Sequence, residues 1–155
     1  MGAAHHRGRS EQSVETPRDF INAVKTRYGI ETFHFDLAAS ADNTQAWDYF
    51  TEADDSLVQE WPTTPPGTYA WLNPPYKNIV KWVEKAAKSP QTQTLMLVPA
   101  SVGTNWFRDW VFPFAATVVL NGRITFVGHA DPYPKDLMLL HYGGIPQSFS
   151  LWTWQ

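Results

Sequence analysis

The sequence predicts an α/β domain, a sheet with helices on its faces that finishes in an antiparallel C-terminal hairpin. Three observations carry that expectation. Stretches with strand character alternate with stretches of helical spacing between Thr16 and Trp110, the order that builds a helix-covered sheet. Strand-like runs then crowd together between Thr117 and Trp154. Within that cluster Asn121-Gly122 separates residues 117–120 from residues 123–127, and Asn-Gly between apolar runs is a strong two-residue turn signal.

Each element has its own warrant. Residues 1–12 are polar, with His5-His6 and Arg7-Gly8-Arg9, and read as a flexible N-terminal arm that can offer Arg7 and Arg9 to phosphates; residues 13–155 read as a single domain. Thr16 suits an N-cap and Pro17 the first helical position. Phe20, Ile21, Val24 and Tyr28 then recur at helical spacing up to Gly29, a natural stop. Residues 33–37 form a short strand with Asp36 near its C-terminal end, and residues 38–42 a small, polar turn. A mixed acidic stretch, 47–61, is centred on Asp54-Asp55 and leads into a proline-rich loop, 62–67. Residues 68–72 are a strand, and Asn73-Pro74-Pro75-Tyr76 follows at once. Neither proline can donate to a ladder, so the motif sits at the strand's C-terminal end, the edge where open α/β sheets bind ligands. From Asn78, the residues Ile79, Val80, Trp82, Val83, Ala86 and Ala87 mark an amphipathic helix with Lys81, Lys85 and Lys88 on other faces. A buried strand, 94–98, a short helix, 104–110, and strands at 137–142 and 149–154 complete the reading.

Composition bounds the function. The chain has 155 residues, enough for one domain with a real core. Hydrophobic residues make up 43%, against a disordered chain, and aromatics 15%, leaving rings to spare for stacking on a base or a cofactor. Cysteine is absent, which excludes a disulfide framework, a thiolate zinc site and a cysteine nucleophile. No apolar run has transmembrane length and no signal-peptide core precedes the domain, so a soluble cytoplasmic protein is expected.

The Asn73–Tyr76 motif points to methyl transfer onto an amine of a planar base. Such an amine is a poor nucleophile because its lone pair is delocalised into the ring. A side-chain amide oxygen and a backbone carbonyl in fixed relation accept both of its hydrogens and localise the lone pair toward a methyl donor. Asn73 supplies the first, Pro74 the second, and the proline rings stiffen the turn. Tyr76 offers a stacking face, a contact worth roughly 1–3 kcal/mol per base. The base has to leave its helix to enter such a pocket. No strong general base is required, since the methylated amine sheds its proton readily and alignment supplies most of the rate. The same four residues serve an adenine in DNA or RNA and a protein glutamine amide; a third reading is a nucleic-acid-binding module without catalysis.

Other residues carry two readings each. Asp54 and Asp55 suit a cofactor contact or a solvated turn, and with no His nearby in sequence no metal site is expected. His34, His129 and His141 are scattered and read as ordinary structural or surface residues. Residues 131–136 (Asp-Pro-Tyr-Pro-Lys-Asp) form a surface loop or a mobile substrate loop. Arg123 reaches a phosphate or a neighbouring acid, Lys77 the DNA backbone or solvent, and Trp106 and Phe107 read as core before base platform. The net charge of −3 argues against a broad electrostatic footprint on DNA, so any contact is local.

Leu72-Asn73-Pro74-Pro75-Tyr76 resembles the catalytic motif of amino-methyltransferases. The wider pattern resembles the phage-type DNA N-6-adenine methyltransferases, the small Dam family of phages and prophages. The matching parts are Thr16-Pro17, Phe35-Asp36-Leu37-Ala38-Ala39 with Asn43, Asp54-Asp55-Ser56-Leu57 with Trp61, Trp71 through Tyr76, Thr104-Asn105-Trp106-Phe107, and Gly122-Arg123-Ile124-Thr125-Phe126, in that order over roughly residues 13–142. The resemblance implies a Rossmann-like methyltransferase sheet, S-adenosylmethionine as cofactor and double-stranded DNA as partner in the cytoplasm of a bacterial host, with the oligomeric state open. It implies that Thr16-Pro17 border the methionine end of the cofactor, that Asp36 with Ala38, Ala39 and Asn43 lies near its amino group or ribose, and that Asp54 or Asp55 faces the adenosine. It assigns Asn73, Pro74, Pro75 and Tyr76 to the target adenine, with Trp71, Lys77, Asn105, Trp106 and Arg123 on the substrate side. The sequence departs from methyltransferases at large after Asp36, where Ala38-Ala39-Ser40 replaces a glycine-rich turn. No separate target-recognition domain fits in this length, so sequence preference has to come from loops.

Overall fold

The computed structural model of the chain describes residues 14–155; the arm expected over 1–12, with Arg7 and Arg9, lies outside the described residues. The helices are α1 (Arg18–Tyr28), α2 (Ile79–Ala87) and α3 (Asn105–Trp110), and single 3-10 turns occupy Ser56–Val58 and Tyr76–Asn78. The strands are β1 (Phe35–Asp36), β2 (Ala70–Leu72), β3 (Thr94–Pro99), β4 (Ala116–Asn121), β5 (Leu137–Tyr142) and β6 (Ser148–Thr153). They form one sheet in the order β1-β2-β3-β5-β4-β6. β1, β2 and β3 run parallel, β5 runs antiparallel to both β3 and β4, and β6 lies parallel to β4.

The core is split between the two faces of this sheet. On one face α2 and α3 cover Leu72, Met96, Val98, Met138 and Leu140 with Trp82, Val83 and Phe107. On the other, Phe20, Ile21 and Val24 of α1 meet Trp71, Leu95, Leu97, Val118 and Leu139. The near-continuous burial of β3 and β5 follows, because both of their faces are covered. α1 ends where expected. Gly29 adopts φ 67, and the Gly29 and Ile30 amides donate to the Thr26 and Lys25 carbonyls. Among the described residues no helix is long and apolar enough to cross a membrane.

Two local expectations are corrected. Pro17, not Thr16, is the N-cap of α1, with extended backbone and no side-chain cap; the Thr16 hydroxyl is engaged with Asn73. Residues 123–127 are not a strand, so no tight hairpin forms at Asn121-Gly122. β4 is flanked by β5 on one side and β6 on the other, which leaves it no free edge for a hairpin partner. Gly122 instead takes φ 111, and its carbonyl accepts from Trp154 Nε1 at 2.7 Å. The antiparallel feature of the sheet is therefore β5, reached through a long connection over 122–136.

Candidate active site

The Asn73–Tyr76 motif occupies a strand-to-helix turn at the C-terminal edge of the sheet. β2 pairs with β1 and β3 only as far as Leu72. Pro74 and Pro75 then end the ladder, and Pro75, with φ −62 and ψ 129, opens the 3-10 turn that leads into α2. Asn73 is clamped. Its Nδ2 donates to the Val14 carbonyl at 3.0 Å and to Thr16 Oγ1 at 3.1 Å. Both amide hydrogens are thereby used, and Oδ1, on the other side, accepts a long hydrogen bond from the Tyr76 hydroxyl at 3.4 Å and keeps a second lone pair for another donor.

Asn73, Pro74, Tyr76 and Lys77 form one wall of a cavity of about 590 Å³, with Val14 beside them. The opposite wall is Phe126 and residues 129–134, including Tyr133. This wall is tied down by the Tyr133 amide, which donates to the Ile124 carbonyl at 2.7 Å, and by the Val127 amide, which donates to the Glu15 carbonyl at 3.1 Å. The Tyr133 ring meets Tyr76 edge-on at 5.9 Å and Phe126 at 5.7 Å. Burial raises the pKa of both Tyr76 and Tyr133, so both phenols stay neutral across the physiological range.

Asp36 ends β1, the strand next to β2, and its register partner is Trp71, two residues before Asn73. Side chains alternate along a strand, so Asp36 and Asn73 belong to the same face. Asp36 is buried; its Oδ1 accepts from the Ala38 amide at 3.2 Å and its Oδ2 from the Gln45 amide at 2.9 Å. Desolvation raises its pKa to about 7 against the lowering effect of those two bonds. The following turn closes through Ser40 N to Asn43 Oδ1 at 2.7 Å and Ala39 N to the Phe50 carbonyl at 2.9 Å. Among the described residues Asp55 is the only non-glycine at positive φ, so Ala38-Ala39-Ser40 makes this turn without needing a glycine.

The remaining predicted residues are dispersed. Asp54 is exposed and accepts from the Thr51 amide at 2.8 Å and the Thr51 hydroxyl at 3.0 Å, bonds that lower its pKa. Asp55, also exposed, holds φ 56 at the start of the next 3-10 turn. Trp71 does not line the cavity. It is 1% exposed and packs on Phe33 in the core, which takes its ring out of reach of a substrate. Asn105 is exposed at the start of α3, and Trp106 packs into the cluster on the face away from α1. Arg123 pairs with Asp136 at 3.4 Å on the surface. The structure thus brings together Thr16, Asn73, Pro74, Tyr76 and Lys77, adds Val14 and Phe126, which sequence reasoning missed, and places Tyr133 of the 131–136 loop in the cavity wall. The signal for Tyr133 was the Pro-Tyr-Pro run, whose prolines stiffen a loop around one aromatic. Among the described residues no group of three or more His, Asp or Glu is gathered so as to hold a metal ion.

Comparison with known proteins gives a consistent family. The model of the family described as DNA N-6-adenine-methyltransferase (Dam) matches residues 5–136. The DNA N-6-adenine-methyltransferase of Escherichia phage T1 is 32% identical over 96 residues, covering 61% of this chain and 38% of that protein. The DNA N-6-adenine-methyltransferase of Haemophilus phage HP1 (strain HP1c1) is 29% identical over 133 residues, covering 76% of this chain and 74% of that protein. The chain therefore spans well under half the length of the phage T1 relative and most of the phage HP1 relative.

Proposed function

Because the chain belongs to the DNA N-6-adenine-methyltransferase (Dam) family, we propose that it transfers a methyl group from S-adenosylmethionine to the N6 amine of an adenine turned out of duplex DNA. The observation that carries this reading is the polarity of the Asn73 amide. With Nδ2 held by Val14 and Thr16, the oxygen is the atom presented to an incoming group, and that group has to be a hydrogen-bond donor.

Asn73 Oδ1 accepts one N6 hydrogen and the Pro74 carbonyl the other, which draws the nitrogen lone pair out of the ring. Tyr76 and Tyr133 supply aromatic surface on the two walls of the cavity, and Lys77 at its rim suits a backbone phosphate. Neutral phenols carry no charge to compete with the reacting centre. The chain's own contribution to rate is alignment and desolvation, not proton abstraction.

S-adenosylmethionine, when bound, supplies the electrophilic sulfonium methyl group. The residues at the C-terminal edge fit it. A cationic ligand with ribose hydroxyls suits the buried Asp36 carboxyl, whose oxygens each keep acceptor capacity beyond one backbone amide. Asp36, Ala38, Ala39 and Asn43 would hold it there, beside the strand that ends in Asn73. The parallel β1-β2-β3 half and the single reversed strand β5 support a Rossmann-like methyltransferase reading of the sheet, with its ligand edge where α/β sheets take ligands.

Methyl-labelled S-adenosylmethionine, incubated with unmethylated duplex DNA in competition with RNA and protein, tests the proposal. Label in the DNA is the expected result. Label confined to RNA or protein, or none anywhere, overturns it.

A further inference from the structure

We propose that Thr16 is a positioning residue that, together with the Val14 carbonyl, holds the Asn73 amide with its oxygen toward the substrate. The inference rests on the reading of Asn73 given above and extends it to a residue outside the Asn73–Tyr76 motif. The amide's two ends are nearly equal in shape, and its terminal torsion is broad and roughly two-fold, so Asn73 alone does not choose between offering oxygen or NH2. Its surroundings choose. Val14 offers a carbonyl, which only accepts, at 3.0 Å, and Thr16 offers Oγ1 at 3.1 Å. A reversed amide would set oxygen against the Val14 carbonyl, which cannot donate; the Thr16 hydroxyl can accept or donate, so Val14 sets the polarity and Thr16, by taking the second hydrogen, holds the amide in place. Thr16 is 5% exposed, so water does not readily replace its hydroxyl.

The chain invests in holding this clamp. Pro17 follows Thr16 and restricts its backbone to extended conformations. α1 begins directly after, with its Phe20 and Ile21 buried in the core. Between the two clamp residues, the Glu15 carbonyl accepts from the Val127 amide. The short segment 14–16 therefore links Asn73 on one wall of the cavity to the loop that builds the other. The consequence is chemical selection: an oxygen-outward Asn73 welcomes an amine-bearing base and repels one that presents a carbonyl at the same place.

Thr16→Val keeps the shape and removes the acceptor; Thr16→Ser keeps the acceptor. On unmethylated duplex DNA, Thr16→Val lowers kcat by about a hundredfold, the scale of a small misplacement of a reacting group, with KM and the S-adenosylmethionine dissociation constant nearly unchanged. Thr16→Ser restores kcat to within a few-fold of the wild type. Thr16→Ala provides a second acceptor-less variant should valine prevent folding. A Thr16→Val enzyme with wild-type kcat overturns the inference, and so does a loss of cofactor affinity in proportion to the loss of rate, which would make Thr16 a cofactor contact. A second readout needs no turnover. The Asn73 side-chain NH2 of the free protein shows two exchange-protected proton signals by NMR, and Thr16→Val deprotects one of them. Unchanged protection in the variant overturns the clamp even if the wild type methylates no DNA, whereas an inactive wild type with an intact clamp contradicts only the proposed function.

Discussion

At the scale of single residues, the site depends on where oxygen atoms point and on which groups stay uncharged. Tyr133 faces Tyr76 across the cavity and carries no backbone or ladder role beyond its own loop. Tyr133→Ala should therefore weaken binding of DNA with an extruded adenine by about tenfold, the lower part of the range for one stacked base, while thermal stability changes little. A fluorescence titration with 2-aminopurine at the target position reads this directly, and unchanged affinity rules out the contact. Asp36 makes a prediction of a different kind. Desolvation pushes its pKa up to about 7, well above the ordinary carboxylate range, so between about pH 4 and pH 7 the folded state holds a proton that the unfolded chain has released. Stability contributed by the protonated form is present below about pH 4 and is lost as pH rises toward 7, levelling off above it. Asp36→Asn should remove this slope, and the wild type should lose of order a few kcal/mol relative to the variant between pH 4 and pH 8. Urea denaturation at several pH values measures the difference, and parallel curves for the two proteins would contradict it.

At the scale of elements, the sequence was most legible where one signal had one physical cause. Pro74-Pro75 cannot extend a ladder, and β2 ends before them. The unbroken apolar run of β3 is buried on both faces. Legibility failed where one signal had two possible causes. Ile124 and Phe126 alternate with exposed neighbours as a strand would, and both are buried, but their backbone pairs with neither flanking strand because β4 has no open edge. Thr16-Pro17 carries the sequence signature of a helix start, yet the hydroxyl is spent on a residue 57 positions away, a contact that local pattern does not encode. The 131–136 loop could be read as a surface or a substrate loop, but its place against the motif was not legible for the same reason, since that wall exists only when the 122–136 connection folds back. Gly122 likewise resembles a hairpin glycine and serves a different end. A Cβ there would lie 3.0 Å from Trp154 Nε1, at a φ of 111 that other residues avoid. Gly122→Ala should cost about 1–3 kcal/mol and lower the melting temperature by several degrees, whereas Gly103→Ala, at a position without positive φ and with no atom within 4 Å, should cost little.

At the scale of the whole molecule, a sheet covered on both faces presents its chemistry at one edge. The ends of β1 and β2 bring a buried carboxyl and a clamped amide onto the same face, and the 122–136 connection closes the cavity beside Asn73. The walls of this cavity all come from the sheet edge, the segment before α1 and the connection between β4 and β5. Under the proposed function, a net charge of −3 leaves recognition of DNA to local contacts around the cavity. The central claim is that the Asn73 oxygen directs methyl transfer to adenine N6. Its most direct measurement is nucleoside analysis of duplex DNA incubated with S-adenosylmethionine and either the wild type or Asn73→Ala. The account predicts N6-methyladenine from the wild type and a rate about 10²–10³-fold lower from the variant, the scale for losing one preorganised polar contact, with cofactor affinity retained. Methylation at any other position, or an Asn73→Ala enzyme as fast as the wild type, would contradict it.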